Sequence, residues 1–334
     1  MKINRVDLPT GEPLFSTYHR HGNAGAVMTA NPSIKNWYFN KAINLTCNSA
    51  FLSGNSSPRI DVIFSGVIDN PYIDITRIPL KHISGRINST IKNSLNDGYY
   101  VCVYGMDDYY VKEKSLYHIR HFIHDCLVCG YDTEKNTYSI YAYDRSWIYR
   151  KFDVTVSCFN RAMRSGRELG HPGLLMGFKA KDKIAQLDIN EICVNLAEYL
   201  DSSLEKYPTD IQGKVSGIVV HDYIAMYLDK IKDGTIPYEK TDRRVFRMIW
   251  DHKKVMLQRI MAVEDQLGMD TGISSEYQKL VKIADNMRLI YLSYKLKRRD
   301  ALLSVMKKML FEIKESESLL LNEFLNKIMK EIKK

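Results

Sequence analysis

The chain has 334 residues, a formal net charge of +9, and 45% apolar and 26% charged residues. That balance is ordinary for a folded globular protein and allows one sizeable core or two subdomains. No apolar run approaches the roughly 20 residues of a membrane span, and the opening MKINRVDLPTGEPLF lacks the apolar core of a secretion signal, so a cytoplasmic protein without a membrane partner is expected.

In chain order, residues 59–67 (RIDVIFSGV), 99–104, 121–131, 137–143 and 174–179 are rich in Val, Ile, Tyr and Phe and bounded by Gly, Asn or Asp, and they predict strands. A helix over 79–95 is predicted to start at Pro79 and stop before Asn96-Asp97-Gly98. The turn over 132–136 joins two strands as an antiparallel hairpin, and a short helix is predicted over 155–165. From residue 183 the strand pattern gives way to apolar residues three and four apart, predicting helices over 188–205, 211–232, 241–267, 273–297 and 299–332, with no sustained heptads. The expected architecture is α+β: a mixed domain over 1–182 followed by an all-α domain over 183–334.

The six cysteines are scattered at 47, 102, 126, 129, 158 and 193, which is no disulfide framework, so reduced thiols are expected. Three histidines, His118, His121 and His124, fall within seven residues. Zinc would want further ligands, and the Cys126/Cys129 pair has no second pair to match it, so no metal is expected. His124 lies in an apolar strand, and the following strand ends at Asp144. An acid at a strand end, across a sheet from a histidine, suits an imidazole-orienting carboxylate; a turn cap is the plainer reading of Asp144. Cys47 is the cysteine well upstream of His124 that lies outside an obvious strand. A helix starting near it would lower its thiol pKa, whereas a buried small residue is the plainer reading. Cys102, inside a strand, is the second thiol candidate. The order Cys, His, Asp along the chain is that of papain-like enzymes.

The segments Gly98–Tyr104, Asp107-Asp108-Tyr109-Tyr110 and His121–Asp132, with the later stretches Gly217–Tyr223 and Asp242–Met256, resemble the butirosin-biosynthesis H-protein N-terminal family, which is related to C39 peptidases. The resemblance spans roughly residues 35–265. It implies a papain-like, C39-type domain that takes an acyl group from the phosphopantetheine arm of a carrier protein and passes it to a small amine, with no bound cofactor. In that reading Cys47 attacks the thioester, His124 serves as base, Asp144 orients it, and Asn44 or Asn48 supplies an oxyanion donor. A cysteine peptidase, or a module that binds a carrier protein or peptide without catalysis, remains the alternative. One departure stands out: a papain-like nucleophile sits on a long helix, and residues 54–58 (GNSSP) would stop a helix after Cys47.

The positive charge concentrates late, in KLKRRD and KIMKEIKK. Nucleic acid is not expected, because the basic runs are not interleaved with aromatics. Arg243, Arg244, Arg247, Lys253 and Lys254 cluster on one predicted helix, and an acidic carrier protein steered by them is the expected partner; a solvated helix face is the plainer account.

Overall fold

The computed structural model describes residues 3–54, 57–63, 70–79, 83, 85–202 and 213–334. These fall into two compact units, one from the described residues within 1–35 and 66–184, the other from those within 36–65 and 185–334. The expected break near residue 183 therefore exists, but residues 36–65 group with the C-terminal helices rather than with the mixed domain.

The first unit is built on an antiparallel sheet. Its strands are β1 (Arg5–Asp7), β4 (Ile73–Pro79), β5 (Tyr100–Asp107), β6 (Ile123–Asp132), β7 (Thr137–Tyr143), β8 (Tyr149–Thr155) and β9 (Leu174–Ala180); β2 (Asn44–Asn48), β3 (Asp61–Ile63) and β10 (Lys214–Ser216) belong to the second unit. The order is β4-β9-β5-β6-β7-β8, and β1 pairs with the far end of β6. Along β7 the burial alternates residue by residue, with Tyr138, Ile140 and Ala142 inward, as a half-buried strand requires. Central β6 is buried on both faces from Cys126 to Tyr131, which removes the alternation.

Helices α3 (Ile87–Asn96) and α4 (Val156–Glu168) share one core with Val101, Val103, Cys126, Val128 and Ile140. Helix α1 (His19–Met28) serves the opposite face, where its Asn23 donates from Nδ2 to Cys102 Sγ at 3.0 Å. The Oγ1 of Thr155, at the N-cap of α4, accepts from Cys158 N at 3.3 Å. The helix then crosses a bulge in β5 at Gly105, whose φ is +101°. A Cβ on Gly166 would lie 1.9 Å from the Gly105 carbonyl oxygen, so only glycine allows this approach.

The predicted helix over 79–95 needs correction. Pro79 closes edge strand β4, and the helix begins at Ile87; residues 80–82 and 84 lie outside the described residues. An edge strand tolerates proline because it leaves one side without ladder bonds. Of the predicted strand 59–67, Asp61–Ile63 is a strand and 64–67 lie outside the described residues.

In the second unit, β2 (Asn44–Asn48) is flanked by β3 (Asp61–Ile63) and β10 (Lys214–Ser216), so the expectation of no strand after residue 183 fails at β10. The helices are α2 (Lys35–Lys41), α5 (Ile189–Asp201), α6 (Val220–Lys232), α7 (Arg244–Leu267), α8 (Ile273–Lys297) and α9 (Asp300–Ile332). The predicted residues 203–205 and 211–212 lie outside the described residues. Helix α5 starts at Asp188, which accepts from Glu191 N at 2.9 Å, and α7 stops at Gly268 in the left-handed conformation, φ +61°.

Side chains of α7 satisfy the carbonyls that end α2. Arg259, fully buried, donates to Phe39 O and Ala42 O, each at 2.6 Å, and His252 Nε2 donates to Ile43 O at 2.7 Å. Helix α9 buries Leu303, Met306, Leu310, Ile313, Glu317, Leu321, Phe324 and Ile328, a heptad-like stripe with a carboxylate in its middle. Glu317 Oε2 accepts from Lys253 Nζ at 2.6 Å and from Tyr199 OH at 2.8 Å, and Oε1 accepts from Tyr277 OH. Every one of these side chains is buried.

Candidate functional site

Strand β5 ends at Asp107 and β6 begins at Ile123, and the two strands pair Asp107 with Ile123 and Met106 with His124. The antiparallel pairing thus sets acids that close one strand beside histidines that open the next. Asp107 is fully buried and fully used. Its Oδ1 accepts from Tyr109 N at 3.1 Å and Phe122 N at 3.0 Å; its Oδ2 accepts from Ser165 Oγ of α4 at 2.7 Å and lies 2.6 Å from His121 Nδ1. Burial alone would raise its pKa, but His121, Ser165 and the two backbone N–H groups together bring it below the ordinary carboxylate value. The His121 ring is about half exposed and stacks on Tyr109 at 4.3 Å between centroids.

Asp108 forms a second pair of the same kind, deeper in the unit. Its Oδ2 bonds His124 Nδ1, and its Oδ1 lies 3.3 Å from the buried Lys114 ammonium, close enough for ionic attraction although outside hydrogen-bond geometry. The His124 side chain is 19% exposed. Its ring packs edge-on against Phe122 at 4.4 Å and meets His19, in the first turn of α1, at 5.0 Å. His19 in turn lies 5.2 Å from the Tyr143 ring. A carboxylate on Nδ1 holds the proton there and leaves Nε2 as the basic nitrogen. The arrangement can take a proton from an incoming nucleophile and return it to a leaving group.

The predicted triad is not assembled in this form. The carboxylate on His124 is Asp108, not Asp144. Asp144 is a turn cap: it accepts from Ser146 N at 2.8 Å and Ile148 N at 2.9 Å and pairs with Arg150 Nε at 2.5 Å. Burial works against its charge, but the Ile148 N–H and Arg150 prevail and hold its pKa low.

Cys47 lies in the second unit, in the middle of β2 opposite Val215, where a helix start was expected. It is 1% exposed, and burial pushes its thiol up to about 12, the reverse of nucleophile activation. Asn44 and Asn48 sit an odd number of residues from Cys47 on the same strand, so they point to the opposite face. Asn48 accepts from Ala50 N at 2.7 Å as a cap for the turn at Ser49–Ser53. Cys102, the second thiol candidate, is buried and its pKa is raised well above the ordinary thiol value, first by burial. Among the described residues no group of three or more His, Cys, Asp or Glu side chains is set to hold a metal ion, and no helix is long and apolar enough to cross a membrane.

The five predicted docking residues do not share one surface. Lys253 is a core residue paired with Glu317, with no exposed area. Arg247 and Lys254 flank Asp251 at 3.4 and 3.6 Å and both lie over the Trp250 ring, at 4.9 and 4.0 Å. Arg244 binds Asp242 through Nε and Nη2. Arg243, half-buried, precedes α7.

Sequence reasoning missed Asp108, His19 and Ser165. Asp108 was within reach: consecutive strands that pair antiparallel place the end of the first beside the start of the second. His19 gave no signal, because Tyr18, the N-cap of α1, makes no side-chain cap bond. No known family's profile matches the chain, and no curated protein matches it; the resemblance described above is carried by its quoted segments alone.

Proposed function

We propose that the first unit is a papain-like acyl-transfer domain that works through an imidazole base rather than a cysteine nucleophile. The observation that carries this reading is the His124 ring, oriented by the buried Asp108 carboxylate and set against the first turn of α1. A helix packed by its first turn on an antiparallel sheet that carries the histidine is what supports the papain-like likeness. In this reading an amine attacks the carbonyl carbon of a carrier-bound thioester while His124 Nε2 accepts the amine proton. The C–N bond forms, the C–S bond breaks, and the imidazolium returns the proton to the departing thiolate. The products are an amide and a free thiol, with Asp108 holding the ring through both transfers. All six thiols are free, which suits the reducing cytoplasm in which this chemistry would run.

The test is amide formation from an acyl thioester and a panel of amines, followed by mass spectrometry. His124→Ala should lose about 10²–10⁴ in rate, and Asp108→Asn should lose a large part of that. Wild-type rates in His124→Ala would overturn the reading. A second reading, a carrier- or peptide-binding module without turnover, is favoured by one contact: the His19 ring packs at 5.0 Å on the His124 ring and covers one flank of it. It predicts saturable binding of the thioester with no product from the wild-type chain.

A further inference from the structure

Within the second unit a cleft of about 650 Å³ opens beside the start of α7. Its wall carries five cationic side chains, Arg59, Lys240, Arg243, Arg244 and Lys295, against one carboxylate, Asp242. Asp242 is already engaged by Arg244, at 2.9 and 2.8 Å, and by Ser57 Oγ at 3.3 Å. Cationic side chains outnumber carboxylates five to one among the lining residues.

The surplus is held in place rather than left to swing away. Lys295 Nζ donates to Tyr238 O and to Thr241 Oγ1, each at 2.9 Å, and lies 3.7 Å over the Tyr238 ring. Arg59 has a left-handed backbone, φ +45°, although it is not glycine. The buried Pro58 and Ile60 flank it, and Asn48 N donates to Pro58 O at 2.7 Å. The pinned neighbours hold Arg59 in this less favoured backbone conformation and so fix the direction in which its side chain leaves the chain.

We propose that this cleft is a binding site for a small organic phosphate. Like charges gathered on one concave wall repel one another, and a multiply charged anion relieves that repulsion better than a carboxylate. Guanidinium forks match phosphate oxygens in pairs. Leu292, 39% exposed, adds apolar surface to the lining for the organic part, and the volume lies in the range of small-molecule sites. The cleft belongs to the second unit and His124 to the first.

The test is isothermal titration calorimetry of the full chain at constant ionic strength, with AMP, inorganic phosphate, adenosine and acetate. AMP is expected to bind at least tenfold more tightly than inorganic phosphate, with no detectable binding of adenosine or acetate. Arg59→Gln with Arg243→Gln, and separately the exposed Lys240→Gln, should each weaken AMP binding, the pair by at least tenfold. Lys279→Gln, an exposed cation on α8, should leave it unchanged. Circular dichroism checks that the variants fold, and Lys240→Gln keeps the test decisive if the pair does not. Binding of AMP no tighter than that of acetate overturns the proposal. So does inorganic phosphate binding more tightly than AMP, or AMP binding that neither cleft variant weakens.

Discussion

Replacing Lys253 with methionine should destabilise the second unit severely and reverse its response to acid. Methionine fills most of the volume of the lysine stem, so little of the cost is a cavity. The cost is electrostatic. Glu317 would keep its hydroxyl donors, Tyr199 and Tyr277, but lose the ammonium at 2.6 Å that offsets its burial. Stranding a buried charge in this way costs about 3–5 kcal/mol. The pH dependence provides an independent check. Burial alone would raise the Glu317 carboxyl, yet Lys253, with His221 and His252, brings it down from its ordinary 4.5 to about 2. A carboxyl depressed on folding stabilises above its unfolded pKa, and the contribution, about 3 kcal/mol here, fades as pH falls from about 4.5 toward 2. In Lys253→Met, burial is no longer outweighed and the carboxyl rises on folding. Its contribution is then present at low pH and lost as pH increases through the raised value. Urea unfolding followed by far-UV circular dichroism across a pH series reads both effects. The double variant Lys253→Met/Glu317→Gln, which removes the stranded charge and keeps an acceptor for the tyrosines, should recover much of the loss. A single variant within about 1 kcal/mol of wild type, less than a buried orphan charge should cost, or one that keeps the wild-type acid slope, would refute the reasoning.

Two further substitutions probe the remaining geometry. Cys47→Ala should leave any acyl transfer unchanged and cost about 1 kcal/mol of stability, and an alkylating reagent at mildly alkaline pH should miss Cys47 until urea is added; rapid labelling of the native chain would contradict its buried place in β2. Gly166→Ala must push α4 away from the Gly105 carbonyl, which lies 1.9 Å from the added Cβ, and should cost about 1–3 kcal/mol as overpacking while loosening the Ser165–Asp107 bond. A melting temperature equal to wild type would show that the helix yields there without strain.

Where the residues repeat with one clear period, the fold was legible. The alternation over 137–143 matches β7, and the apolar spacing over 273–297 matches α8. It was illegible where two signals compete. Pro79 reads as a helix start but closes an edge strand. Asn44–Asn48 is buried on nearly every residue, so it shows no alternation to mark it as a strand. Strand β8 hides behind Arg150, Lys151 and Asp153, and β10 has three residues. The apolar spacing over 299–332 predicts α9, but its heptad-like run is not legible because Glu317 interrupts it. At the candidate site His124 was found from its own strand. The strand pattern points forward along the chain to Asp144 as its acid, whereas the pairing of β5 with β6 brings Asp108 from behind.

The grouping of residues 36–65 with the C-terminal helices has a consequence for synthesis. The carbonyls at Phe39 and Ala42 wait for a guanidinium about 220 residues further along the chain, and β2 waits for β10. At ordinary elongation rates that interval lasts roughly ten to forty seconds. During it Trp37, Tyr38, Phe39, Ile43 and Leu45, all buried in the finished protein, have none of their C-terminal partners, and one edge of β2 is without its neighbour. The nascent chain therefore carries an adhesive apolar segment through most of its translation, and that window is when a ribosome-associated chaperone would have the most to hold.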